Sequence, residues 1–222
     1  METCKTKIVS IVLPRILKME TKERILAGAE ELFNRHGIKR ITMDEIAQHL
    51  SVSKKTIYQF FEEKDDLVDA CCKIVMDKRE CEFEKIQDDA KDAVEEMIHA
   101  MKHMSAMFSK MNPNLFYDLQ KFYPKTWKAF REFKEQHMMG IIEKNLKTGI
   151  KQQLYRADIP VKTLSILRMY EVEFGMNPDV FPPDKFNHVQ VQVALLNHFL
   201  YGICTLKGHK LVNKYLQVKE EE

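Results

Sequence analysis

The chain reads as all-α, and three observations carry that reading. Glycine and proline number only seven each in 222 residues, too few to punctuate the turns of a sheet protein. No Val-, Ile- and Thr-rich alternating run is bounded by turn residues, as a half-buried strand requires. Apolar residues recur instead three or four apart over long stretches, the period of a helix with one buried side. The expected architecture is a three-helix, helix-turn-helix domain at the N-terminus and a larger helical domain behind it.

Residues 1–20 fit nothing downstream. Lys5 and Lys7 precede IVSIVLP, which has the charged start and apolar centre of a signal peptide. Pro14, Arg15 and Lys18 interrupt it, no small-residue cleavage site follows, and the run is too short to span a bilayer. The expectation is a disordered or non-native extension. Thr21 then caps a first helix to about His36, with Ile25, Ala29, Leu32 and Phe33 as its apolar stripe and Gly37 as its stop.

Residues 42–61, TMDEIAQHLSVSKKTIYQFF, carry the densest local signals. Thr42 and Glu45 have the spacing of a capping box: the hydroxyl takes the amide of Glu45, and the carboxylate reaches back to the amide of Thr42. A short helix follows to about Leu50, with Ile46, Ala47 and Leu50 on one side. Ser51-Val52 makes the turn, and Ser53 caps a second short helix. Two short amphipathic helices joined so tightly form a helix-turn-helix. At 100° per residue, Ile57 and Phe61 share the inward side of the second helix, with Phe60 close by. Lys55, Tyr58 and Gln59 point the other way, flanked by Lys54 and Thr56. No acidic residue occurs from Ile46 to Phe61. Such a surface suits phosphates and base edges.

The spacing of Ala29, Leu32, Phe33, Gly37, Thr42, Ile46, Ala47, Val52, Ser53, Thr56, Ile57, Tyr58, Phe60, Phe61, Lys64 and Leu67 resembles the TetR (TetR/AcrR-type) family of bacterial transcriptional repressors. The likeness is strong over 21–68 and weak beyond. One position departs from the family pattern: Ser51 stands where glycine is usual. If Ser51 is left-handed, its side chain adds strain of about 1 kcal/mol. The resemblance implies a DNA-contact set of Thr42, Ser53, Lys54, Lys55, Thr56, Tyr58, Gln59 and Lys64, with Lys39 and Arg40 near the DNA backbone. Lys55 and Gln59 would lie nearest the bases. Lys64, at the N-terminus of the next helix, would meet a phosphate.

That next helix runs from Lys64 to about residue 85, with Asp65 and Asp66 in its first turn favouring the macrodipole. Another, from about Ala90 to Met111, carries Met97, Met101, Met104, Met107, Phe108 and Met111. Asn112-Pro113 breaks it. A shorter helix holds Phe116, Tyr117, Phe122 and Tyr123. Pro124 opens a long helix to about Lys147, bearing Trp127, Phe130, Phe133, Ile141 and Ile142, with Gly149 at its end. Methionines beside aromatics suit an adaptable apolar cavity as well as plain core. The resemblance implies a ligand cavity, placed at Met101, Met104, Phe108, Phe116, Tyr117, Trp127 and Phe130, for a small apolar or amphipathic molecule.

Residues 149–160 and 175–184 are expected loops around a helix that starts at Pro160 and ends near Phe174. The last substantial helix runs from about Lys185 to Thr205. It is apolar on most of its circumference and needs cover on both sides. Its own chain can supply that cover. The resemblance implies a homodimeric four-helix bundle from the last two long helices, with Val189, Val193, Leu196, Leu200 and Ile203 in the interface. The acidic tail Glu220–Glu222 is expected to fray.

Net charge is +2, so any DNA contact must come from a local basic surface. Five cysteines, at positions 4, 71, 72, 81 and 204, lack metal-site spacing and suit a reducing cytoplasm. Cys71, Cys72 and Cys81 share one helix, so a redox-responsive regulator is one alternative. Glu95, His99 and His103 share a helix side, but no further ligand is apparent and no metal or cofactor is expected. No phosphate loop, nucleophile arrangement or paired-carboxylate motif suggests an enzyme. The reading is a DNA-binding regulator, with residues 21–68 on DNA and 69–218 sensing a ligand and dimerising. A second alternative is a helical small-molecule carrier whose helix-turn-helix has degenerated.

Overall fold

The computed structural model describes residues 4–109, 111–112, 114–177, 179–182 and 184–218, with side chains from Glu20 onward. The acidic tail Glu220–Glu222 lies outside them. In chain order the helices begin with α1 (Cys4–His36), α2 (Met43–His49), α3 (Lys54–Tyr58), α4 (Lys64–Asp89), α5 (Ala93–Phe108) and α6 (Leu115–Phe122). There follow α7 (Pro124–Phe133), a π turn (Lys134–Met138), α8 (Met139–Lys151), α9 (Val161–Gly175), α10 (His188–Ile203) and α11 (Leu206–Leu216). Among the described residues there is no strand, only an isolated bridge between Tyr155 and Cys204. The chain is all-α with an N-terminal helix-turn-helix domain, as its composition and periodicity predict.

Two compact units divide the chain: Met1–Met76 with Met111–Ala129, and Asp77–Lys110 with Phe130–Glu222. The expected boundary at 68/69 is contiguous in sequence; the observed first unit also recruits 111–129 from downstream. Its core joins Ile25, Phe33, Ile46, Ile57, Phe61 and Leu67 to Leu119 and Tyr123 of the recruited segment, with Trp127 packed against them. Gly37 stops α1 as expected. It lies at φ +83°, open to glycine without a Cβ penalty, and its amide returns to the Phe33 carbonyl at 2.9 Å.

The second unit packs α5 against α8, α10 and α11, with α9 lying on α8 and α10. Its core includes Val94, Ile98, Leu146, Leu196, Leu200 and Val212. A buried polar group completes it. Tyr155 is 1% exposed; its hydroxyl donates to the Ala93 carbonyl at 2.9 Å, with Asn145 Oδ1 3.2 Å away. Asn145 Nδ2 donates to the same carbonyl at 2.9 Å. Gly149 lets this ring approach: a Cβ there would sit 2.1 Å from Tyr155 Cδ2.

Several expectations are corrected. Thr21 does not start a helix, because α1 extends back to Cys4 and places Thr21 inside it. The recognition helix ends at Tyr58 rather than Phe61, since Phe60 already bonds back three residues, to Ile57. Gly149 lies within α8, and the long helix opened by Pro124 passes through a π turn. Helix α11, capped by Thr205, was not anticipated.

The largest correction concerns α10. Leu196 and Leu200 are 0% exposed and Ile203 is 3% exposed within a single chain. Side chains already covered by their own fold have no surface to offer a partner, so these three are core and not interface. Val193 is half-buried against that core, and only Val189 of the expected set is exposed. On α9 and α10 the exposed large apolar side chains are Ile166, Leu167, Tyr170 and Phe174, with Val189 and Tyr201.

Candidate nucleic-acid interface

Local hydrogen bonds build the reading head. Glu45 N donates to Thr42 Oγ1 at 3.2 Å, and Thr42 N donates to Glu45 Oε2 at 2.7 Å, closing the capping box. Bonds donated to it by the Thr42 amide and the Thr42 hydroxyl hold the Glu45 carboxyl below the usual carboxylate range. At the turn Ser51 is left-handed, φ 54°, and Val52 N reaches the Ala47 carbonyl at 3.0 Å. Ser53 caps α3: its hydroxyl accepts from Thr56 N at 3.0 Å and lies 2.7 Å from Thr56 Oγ1.

The caps fix the rotation of α3. Ile57, at 0% exposure, anchors it from below, so Lys55, Tyr58 and Gln59 stand exposed on the opposite side. Thr42, Ser53 and Lys54 are exposed beside them, and Thr56 is half-buried. Lys54 is already engaged: its Nζ lies 2.8 Å from Asp44 Oδ2, a bond that raises its pKa. This pair is solvent-exposed and competes only weakly with a phosphate.

Lys64, expected at a phosphate, is already engaged within the protein. Its Nζ donates to the Ile38 carbonyl at 2.6 Å, with the Lys39 carbonyl at 3.5 Å. The rings of Phe33 and Tyr123 lie 5.9 and 5.8 Å from it. Burial lowers its pKa, partly offset by the negative charges of Asp118, Asp65 and Glu45. The ammonium therefore bonds the protein's own backbone at the turn after α1. Lys39 and Arg40 are exposed, with Lys39 Nζ 4.1 Å from the Phe122 ring centroid.

The seven residues proposed for a ligand cavity divide between the two units. Met101, Met104, Phe108 and Phe130 belong to the second unit; Phe116, Tyr117 and Trp127 belong to the first. Met101 is core, and Met104, Phe108 and Phe130 are half-buried. Tyr117 is exposed, and its hydroxyl accepts from Lys121 Nζ at 2.6 Å.

Among the histidine, glutamate and cysteine candidates, His103 and Glu95 are engaged in ion pairs and Cys71 is buried, whereas Cys81 is exposed. His103 Nε2 lies 3.0 Å from Glu82 Oε2, which also receives Arg79 Nη1 at 2.6 Å. Glu95 accepts from Lys91 N at 2.7 Å and Lys91 Nζ at 3.1 Å. Among the described residues no three His, Cys, Asp or Glu groups converge as metal ligands. Burial pushes the Cys71 thiol up to about 12 and that of Cys72 to about 11, which works against a reactive thiolate.

These features define an all-α protein with a capped helix-turn-helix and a polar, acid-free outward surface on its second helix. Residues 25–71 match the sequence model for bacterial regulatory proteins of the tetR family. The "HTH-type transcriptional regulator HbdR" of Aromatoleum sp. (strain CIB) is 33% identical over 92 residues, 41% of this chain and 40% of that protein. The matched stretch thus spans well under two thirds of the relative's length. Among solved structures, a transcriptional regulator from Saccharomonospora viridis in complex with choline aligns with a TM-score of 0.72 at 17% identity, covering 84% of this chain and 99% of that one. The regulator FadR of Bacillus subtilis in complex with stearoyl-CoA aligns at 0.64 and 18% identity, covering 82% and 98%. At such identities the likeness is one of fold. The segment that matches, residues 25–71, is the one that holds the capped helix-turn-helix.

Proposed function

We propose that the whole protein is a homodimeric repressor of the cytoplasm that binds a two-fold symmetric operator and is released by a small ligand. The observation that carries this reading is the orientation of α3. Its caps and the buried Ile57 leave Lys55, Tyr58 and Gln59 together on an exposed, acid-free side. Lys55 and Gln59 read base edges, while Tyr58 and Thr56 hold phosphates. Among the described residues no helix is long and apolar enough to cross a membrane.

A dimer supports this reading because two recognition helices must enter successive major grooves, about 34–36 Å apart. The uncovered apolar sides of α9 and α10, around Leu167, Tyr170 and Tyr201, suit such an interface. The ligand reading rests on the half-buried Met104, Phe108 and Phe130, and on the choline and stearoyl-CoA held by the two structural neighbours. Induction by 100-fold needs only about 2.7 kcal/mol of difference in ligand affinity between the free and DNA-bound states. A larger side chain among these residues, Met104→Trp, should then give a repressor that binds DNA without releasing it.

The test is selection of duplexes from a random library by the purified protein, followed by binding of the Lys55→Ala variant. Lys55→Ala should cost about 1–3 kcal/mol and relax preference at one or two positions. Leu167→Glu should yield folded monomers in sedimentation that no longer bind the selected site. Failure to enrich any duplex would favour a helical carrier with a degenerate head.

A further inference from the structure

We propose that Asp118 is a positioning residue for DNA binding, which clamps, together with Lys64, the single peptide group joining Ile38 to Lys39. The proposal rests on the DNA-binding reading above. The N–H of that peptide donates to Asp118 Oδ2 at 2.9 Å, across 79 residues of sequence. Its carbonyl accepts from Lys64 Nζ at 2.6 Å. An anion thus holds the positive end of one peptide dipole and a cation holds its negative end. Both bonds are charge-assisted, roughly twice as strong as neutral ones.

The clamped peptide sits where orientation matters. It lies between Gly37, which ends α1, and Thr42, which caps α2. Ile38 and Ile41 on either side are 3% and 4% exposed, so the turn cannot shift without moving core. Rotation of that peptide would re-aim α2 and, through the Ser51 turn, α3. Arg40, exposed in the same turn, would move with it.

Asp118 itself is 7% exposed on α6, and its delivery is well braced. Asn112 N donates to the Asn34 carbonyl at 2.8 Å, and Asn112 Nδ2 to the Arg35 carbonyl at 3.2 Å, tying the start of the segment to the end of α1. At its other end Lys125 pairs with Asp69 at 2.8 Å, and Thr126 donates to the same carboxylate. The Asp118 oxygen also stands 3.1 Å from where a Cβ on Gly37 would be, so the carboxylate closes directly over the turn. Residues 111–129 are thereby a working part of the reading head, although they lie far from it in sequence.

The test compares wild type, Asp118→Ala, Asp118→Asn, Lys64→Met and the Asp118→Ala/Lys64→Met double variant. Each is assayed on a duplex selected by the wild type, across a salt series, with thermal melting as a control for folding. Amide hydrogen exchange at Lys39 is read without DNA. The clamp expects each single variant to bind on the order of 10-fold more weakly, with Asp118→Asn intermediate because its carbonyl still accepts. The double variant should bind no worse than the weaker single one, because an orphaned buried charge is the costly state. Lys64→Met should leave the salt dependence unchanged, whereas loss of a phosphate contact would lower its slope by about 1. Lys39 exchange should accelerate in every variant. A folded Asp118→Ala protein with wild-type affinity and wild-type Lys39 exchange overturns the clamp. Additive losses with a reduced salt slope at Lys64 overturn it too, returning Lys64 to the phosphates. Wild type that selects no duplex overturns the DNA-binding reading and the positioning role with it, while Lys39 exchange still shows whether the carboxylate holds the turn.

Discussion

The two units are specified at different ranges along the chain. In the first, the capping bonds of the helix-turn-helix close within three residues: Thr42 with Glu45, and Ser53 with Thr56. In the second, they span tens of residues. Tyr155 and Asn145 both reach Ala93, and Tyr215 donates to Asp92 at 2.6 Å. Even the cap at Asp92, which accepts from Val94 and Glu95, is shared with that distant tyrosine. Motifs written locally are legible in a sequence. Long-range polar contacts leave no pattern to read, because their partners can be any residue the fold brings near.

Substitutions can sharpen or break this contrast, and the sole tryptophan helps, since Trp127 packs on the first core and reports that unit. The largest effect is expected from Leu196→Ala, which empties a fully buried site in the second core. It should cost about 2–5 kcal/mol, seen as an early loss of far-ultraviolet helix signal while the Trp127 transition moves less. Coincident shifts of both signals would show that the units do not melt separately.

Tyr155→Phe should come next, at about 1–1.5 kcal/mol, because it deletes a buried donor while Asn145 still satisfies the Ala93 carbonyl. A loss as large as that of Leu196→Ala would mean that the hydroxyl organises far more of the second unit than one bond. Thr42→Ala should cost about 1 kcal/mol and move the Trp127 transition first, since the cap belongs to the head. An unchanged Trp127 transition would break the claim that local caps set the stability of the head.

The smallest expected effect has the opposite sign. Ser51→Gly removes the Cβ from a residue at φ 54° and should stabilise the head by about 0.5–1 kcal/mol. A destabilised variant would show that the flexibility glycine adds to the unfolded chain outweighs the relief of strain.

The sequence by itself determined the all-helical class, the capping box, the Ser53 cap, the left-handed stop at Gly37 and the inward side of α3. Each depends on residues within about one turn of one another, so spacing alone constrains it. Only the tertiary structure decided which side of α10 is core. A helix apolar around most of its circumference must be covered, but its periodicity is silent on whether the cover comes from its own chain; here it does for Leu196, Leu200 and Ile203. The exposed stripe of α9, from Ile166 to Phe174, was hidden for the same reason. Lys64 shows the limit for a flexible side chain. Its place at a helix start is readable, but its bond to the Ile38 carbonyl spans 26 residues and exists only because folding brings the two within reach.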